Sequence, residues 1–410
     1  MRNDYDLIPN STFLIPNCFK DALKYLDWLC IYGVKEGLER IKALCAALGQ
    51  PQNFYQTVHV TGTNGKGSVC AMLAEMLKAQ GLRVGLFTSP HLESYCERIK
   101  INGENISEAD FAEMIFRVKD CNVEATHFEV LTAAAFEYFK IRAVDIAVIE
   151  VGLGGLYDST NVILPELAII TNVALDHENI LGDLDNIARN KAGIIKPNIP
   201  TVTGATGKPL DIIRAVAKEK NSVLYEVNPS KLTAYSLKLN LRGDYQQINA
   251  TIAIKAAEVL GLSKAAIETG LAHVEWAGRF EVIETAAGVV IIDGAHNPHG
   301  AKALRDSLDK NFPTGKRIWL FGALKDKNFA EMIRILFRAD DFVIVTPPQS
   351  ERAASTEILC KCLRENNIAC AAVENNFEAV EMLKNSSGDV KIIAGSLYLI
   401  GAVRNSIKNS

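Results

Sequence analysis

No apolar run in this 410-residue chain reaches the ~18 residues that a membrane-spanning helix needs, so no such helix is expected. Aromatic residues are few, at 7%, and there is no low-complexity tract, which leaves an ordinary globular composition. Neither sign of charge dominates. A formal net charge of -4 gives no reason to expect nucleic acid or an anionic membrane as the main partner. The opening stretch MRNDYDLIPNSTF is too acidic, and too broken by Pro9 and Asn10, for a signal peptide. Cysteine is present but unpatterned. The nine are an odd number, and Cys360 and Cys362 form a C-x-C with no second pair at zinc-finger distance. Cys30, Cys45 and Cys70 fall within apolar helical patterns, where a small buried thiol is the ordinary reading. That usage points to a reducing compartment and a soluble, cytoplasmic protein.

What is present is alternation. From about Thr57, short Val/Ile-rich runs alternate with longer helical periods. YQTVHVTG, RVGLFTS, VDIAVIEVG (144–152) and ELAIITNV (166–173) read as strands. Continuous apolar runs bounded by turn residues are expected of central parallel strands covered on both faces. Helical stretches fall at 66–80, 107–119, 132–141 and 184–195. A second series, GVVIIDG, KRIWLFGA, DDFVIVTPP and VKIIAGS, starts near residue 282. The reading is α/β: an N-terminal domain like a P-loop NTPase, with a mainly parallel sheet, and a smaller Rossmann-like C-terminal α/β domain. The division is placed at 1–277 and 278–410, and ligands are expected at the carboxyl ends of the strands.

The densest signal is VHVTGTNGKGS (58–68). It has the strand–Gly-rich turn–helix layout of a phosphate-binding loop, but Gly67 separates Lys66 from Ser68. Gly62, Thr63, Asn64, Gly65 and Gly67 form a turn whose N–H groups can face an anion, reinforced by the helix N-terminus. Lys66 supplies a cation for phosphate oxygens and Ser68 a hydroxyl for Mg2+. Glu150 is a carboxylate in an apolar strand, costly to bury unless paired or metal-bound. His177 can ligate a metal as neutral imidazole. Lys191, in NKAGII, would have its pKa lowered by burial. Taken alone, a lone His or Lys is more often structural.

Farther along, Gln246 and Asn249 offer amides suited to a base edge, although chemistry alone favours a helix surface for them. Arg279 stands at the division, where its guanidinium could reach phosphates held by the other domain. Asp293, His296, Asn297 and His299 crowd the end of a strand in IIDGAHNPHG.

These segments, with GLERIKALCAALGQP, TSPHL, GRFE and GSLYLIGAVR, resemble in order and over almost the whole chain the bacterial folylpolyglutamate synthase/dihydrofolate synthase family, a branch of the Mur-ligase superfamily. The resemblance implies an ATP-dependent ligase that phosphorylates a carboxylate of dihydropteroate or a folate and joins it to L-glutamate, with both activities as the default. Carried over by position, Ser68 and Glu150 hold one Mg2+, and Glu150 and His177 a second metal. Lys191 matches a lysine that is carbamylated in the superfamily. Asn249, Arg279 and Asp293 contact ATP, while His296 and Ser396 lie near the glutamate. Lys66, Lys191 and His296 are thus the candidate catalytic residues. K+ or another monovalent cation is a further candidate cofactor, and a monomer is the expected state. Asn190 and Tyr245 depart from the family pattern, which commonly has Glu and His there.

Two rivals remain at this point. A cell-wall Mur ligase usually carries a substrate-binding domain before the phosphate loop, whereas here 61 residues precede Gly62 and read as helices. A P-loop kinase or NTPase forming no amide bond accounts for Gly62 to Ser68 but leaves the second α/β unit without a task.

Overall fold

A computed structural model of the chain describes residues 18–30, 33, 35–176, 178–227, 238–285 and 288–408. Eight strands form the first sheet: β1 Gln56–Thr61, β2 Val84–Phe87, β3 Ile99–Ile101, β4 Glu104–Asn105, β5 Ile146–Glu150, β6 Leu167–Ile170, β7 Thr201–Thr203 and β8 Leu224–Glu226. Their order is β4-β3-β2-β5-β1-β6-β7-β8, parallel from β2 to β8, with β3 and β4 antiparallel at one edge. β1 lies between β5 and β6, which places the phosphate loop at mid-sheet.

The pleat assigns faces. Ile146 and Val148 of β5 pack with the helix Lys66–Ala79 and the helices Asp244–Val259 and Lys264–His273. Ala147 and Ile149 face the opposite core, built from Phe19–Leu29, Glu39–Ala47, Glu108–Lys119 and His127–Ile141. Side chains alternate with period two, so Glu150 shares the face of Ile146 and Val148, that of the phosphate-loop helix.

The second sheet has β9 Glu281–Thr285, β10 Gly288–Asp293, β11 Arg317–Phe321, β12 Phe342–Val345, β13 Ala369–Ala372 and β14 Val390–Ala394. Its order is β13-β12-β11-β14-β10-β9, parallel except for the β9–β10 pairing. Helices cover both faces, Pro298–Asn311, Phe329–Leu336 and Thr356–Glu365 on one, Asn376–Asn385 and Leu397–Lys408 on the other. No helix among the described residues is long and apolar enough to cross a membrane.

Helix ends differ from the periodicity. The helix expected over 132–141 begins at His127, because Thr126 and Glu129 form a reciprocal capping box. The one expected over 184–195 ends at Ala192, where Gly193 takes the C-cap. Neither Gln246 nor Asn249 lies on a helix surface. Both are buried, because the helix Asp244–Val259 is wedged between the phosphate-loop helix and the second unit.

Candidate active site

The loop after β1 is held open by its neighbours. Asn172 Oδ1 accepts from Asn64 N at 3.0 Å, and Thr171 Oγ1 donates to Asn64 O at 2.7 Å. Thr63 Oγ1 meets both the N–H and the C=O of Ala174 at 3.0 Å. Gly65, at φ +81°, could not carry a side chain, since a Cβ there would overlap Asn249 Oδ1. Asn249 in turn donates to Gln246 Oε1 at 2.9 Å, and Gln246 donates to Ser68 Oγ at 3.2 Å. The buried amides therefore brace the loop from behind.

Lys66 folds over its own loop, donating to Gly62 O at 3.0 Å and Thr63 O at 3.2 Å. Its charge acts on both Glu150 and Lys191, favouring the carboxylate of the one and the neutral amine of the other. Burial raises the Glu150 pKa, opposed by Lys66 and by the Ser89 N–H that donates to Oε2 at 2.9 Å. Lys191 is buried in the helix Leu184–Ala192. Burial first, then Lys66, pulls its pKa down to about 7. Its neighbour Asn190 is spent structurally, accepting from Leu156 N at 3.3 Å.

The sequence reading named the Glu150 segment but missed its support. Asp158 accepts from Leu153 N at 2.9 Å and from Thr160 Oγ1 at 2.5 Å, and Thr160 Oγ1 contacts His59 Nε2 at 2.8 Å. As Thr160 donates to Asp158, its oxygen accepts from His59. This buried chain ties the glycine-rich exit from β5 back to β1.

From the second unit, Arg279 turns Nη1 toward Gly278 O at 3.3 Å, and its charge reaches both Glu150 and Asp293. Asp293 is buried and its pKa raised by burial. It accepts from Phe280 N at 2.8 Å and from Tyr245 OH at 2.5 Å. Tyr245 is thus bound to Asp293 across the division between the sheets. His296 Nδ1 lies 2.8 Å from Gly294 O. A carbonyl only accepts, so Nδ1 carries the proton and Nε2 is the acceptor. Burial, then Lys327, lowers the His296 pKa to about 4 and keeps the ring neutral. Buried Ser396 sits one strand away, as β10 and β14 pair through Asp293 and Ala394.

Asn297 and His299 close the front: Asn64 contacts both, and Asn297 also donates to Asp176 at 3.0 Å. Asp176 accepts from Lys327 at 2.8 Å, a residue the sequence reading did not single out. No local pattern marks Lys327 in ALKDKNF, since its partner comes from the other sheet. Another unanticipated cluster follows TSPHL: buried Arg98 donates to His91 Nδ1 at 2.9 Å, and Tyr95 OH meets His127 Nε2 at 3.1 Å. Cavities of about 590 and 490 Å³ both border Phe280, the second reaching Thr88, Trp276 and Arg279.

The structure thus places Gly62–Ser68, Glu150, Arg279, Asp293 and His296 at or just beyond the ends of strands, with Asn249 brought to the loop from the helix Asp244–Val259 and Lys191 within reach of the Lys66 charge from the helix Leu184–Ala192. His177 lies outside the described residues, and among those described no three His, Cys, Asp or Glu side chains form a metal cluster. Ser68 and Glu150 still fit a hydrated Mg2+ of the phosphate-loop kind, which takes few protein ligands and shares phosphate oxygens.

Residues 60–201 match the Mur ligase middle domain and residues 278–397 the Mur ligase glutamate ligase domain. The dihydrofolate synthase/folylpolyglutamate synthase of Bacillus subtilis is 34% identical, over 95% of this chain and 99% of its own. The folylpolyglutamate synthase structure from Thermotoga maritima, 35% identical, superposes with a TM-score of 0.82 over 95% of this chain and 97% of its own. An Escherichia coli FolC structure in complex with DHPP and ADP is 29% identical, with a TM-score of 0.87 over 95% and 98%. The chain belongs to the dihydrofolate synthase/folylpolyglutamate synthase family, ATP-dependent glutamate ligases of the Mur type.

Proposed function

We propose that this protein adds L-glutamate to dihydropteroate and to tetrahydrofolate polyglutamates through an acyl phosphate, with domains divided at 277/278. The observation that carries the site assignment is the Lys66 ammonium folded over the carbonyls of Gly62 and Thr63, in a loop fixed by Thr171 and Asn172, with its charge and that of Arg279 both acting on Glu150. Relatives bearing both activities in their names, at 34% identity in B. subtilis and in E. coli, support the bifunctional reading.

ATP phosphates occupy the loop Gly62–Ser68, drawing Lys66 off the carbonyls of Gly62 and Thr63. Ser68 and Glu150 would hold one Mg2+, and Glu150 with His177 a second metal, and these would supply neutralisation of the phosphate charge. The substrate carboxylate oxygen attacks the γ-phosphorus, the bridging P–O bond to the β-phosphate breaks, and ADP leaves with that oxygen. Lys66 and Arg279 stabilise the charge that moves between them. The neutral amine of glutamate then attacks the acyl carbon, forming C–N as the C–O bond breaks and phosphate departs. His296 Nε2 is the unprotonated acceptor at the glutamate side. Lys191, with its amine near half neutral at pH 7, is positioned to take up CO2 as a carbamate that pairs with Lys66. Keeping water from the acyl phosphate falls to the closing of the two units on one another.

Mass spectrometry after incubation with ATP, Mg2+, L-glutamate and each acceptor tests this proposal. One added glutamyl unit on both acceptors supports it, and unchanged acceptors contradict it.

A further inference from the structure

The glycine between Lys66 and Ser68 has its explanation in the linker between the sheets. A Cβ on Gly67 would stand 3.0 Å from Trp276 Cζ2 and 3.1 Å from Nε1, so the indole edge rests directly on the backbone of the first helical turn. The contact is the end of a longer registration. The helix Lys264–His273 lies against the helix Lys66–Ala79 so closely that a Cβ on Gly270 would be 2.5 Å from Met76 N. From there the chain follows that helix toward its N-terminus and arrives at Gly67 with Trp276.

Beyond Trp276 the linker is also fixed. Gly278 N donates to Glu281 Oε2 at 2.9 Å, and Arg404 holds both Glu281 oxygens at 2.8 Å. Arg279, whose charge reaches Glu150, is three residues from Trp276. Lys100 Nζ stands 5.6 Å from the indole centroid, a cation–π contact that helps orient the ring. The first-turn N–H groups of a helix have no intrahelical carbonyl and are the groups that bind phosphate. A rigid ring pressed on Gly67 therefore sets their aim and ties it to the position of Arg279.

We propose that Trp276 is a positioning residue that registers the interdomain linker on the phosphate loop, so that the loop N–H groups and Arg279 meet the same nucleotide together. This rests on the nucleotide reading of that loop. Of the three tryptophans, Trp319 is fully buried in the second sheet and Trp28 is half exposed on an outlying helix, so Trp276 is the one beside the nucleotide site.

Mg·ADP should change the intrinsic fluorescence of the wild-type protein, and Trp276→Phe should abolish that change. Trp276→Phe should also lower kcat/KM for ATP about tenfold, with KM for glutamate altered less than about twofold. Gly67→Ala should impair ATP use similarly. Combining it with Trp276→Phe should relieve the clash, leaving the double variant less impaired than the two separate losses multiplied. A natively melting Trp276→Phe with wild-type ATP kinetics, or strictly multiplicative losses, overturns the proposal. Should Trp276→Phe fail to fold, Gly67→Ala decides alone: wild-type ATP kinetics overturn the proposal, and a selective loss toward ATP supports it. Calorimetry of Mg·ADP with the wild-type protein separates the two ideas. Binding alongside unaffected variants removes only the role of Trp276, whereas no binding removes the nucleotide reading and this role with it.

Discussion

Asn64 and Asn297 form a reciprocal amide pair between the phosphate loop and the second unit: each side chain donates to the other, at 3.2 and 3.1 Å. Asn297 is at the same time the N-cap of the helix Pro298–Asn311, accepting from Gly300 N at 2.8 Å. Asn297→Ala should therefore cost about 1 kcal/mol of stability through the cap, plus the contact between the units. Asn64→Ala should lose the pair and the contact with His299 but keep the cap and the Asn297–Asp176 bond. Thermal melting of both variants checks the order, with Asn297→Ala the less stable.

The ion pair of Asp176 and Lys327 spans the same gap with side-chain exposures of only 10% and 8%. Removing one charge takes from the other its counter-ion in a largely buried site, at a cost of up to about 3–5 kcal/mol. Lys327→Met should be strongly destabilising, and adding Asp176→Asn should restore part of the loss. A double-mutant cycle in urea measures the coupling.

Lys66→Ala should lower ADP formation by at least about 100-fold, the scale seen when one preorganised donor to a developing anion is removed. Glu150→Ala should do the same through loss of the metal. Single-turnover assays at saturating Mg2+ check both, with far-UV dichroism to confirm the fold.

Burial holds the Lys191 pKa near 7 against its ordinary 10.5. Between those values the unfolded chain binds more protons than the folded one. The burial penalty is therefore complete below about pH 7 and fades as pH rises toward 10.5. In bicarbonate-free buffer, Lys191→Met should raise the melting temperature most at pH 6–7, and the gain should shrink with increasing pH. Bicarbonate should add one CO2 to the wild-type protein and none to the variant, read by native mass spectrometry.

Much of the site is local in sequence and was legible there. Gly62 to Ser68 announce their backbone role by spacing, and Glu150 stands out because a carboxylate in a buried run demands a partner. What local pattern cannot carry is the occupant of the opposite side. The helix Asp244–Val259 has amides at Gln246 and Asn249 where a surface stripe was expected, because two units enclose it. Thr126 hid a helix start, since the capping box lies ahead of the apolar repeat. Asn64 and Asn297 are 233 residues apart, so their pairing exists only once both sheets are formed. Gly67 looked like an irregularity in a motif until Trp276 was found against it.

The most direct measurement is ADP release with Mg2+ in the presence and absence of L-glutamate, using dihydropteroate in one series and tetrahydrofolate in the other. Glutamate-dependent release in both, with one glutamyl unit gained per ADP, is the predicted result. ADP release indifferent to glutamate, with neither acceptor extended, would contradict the account.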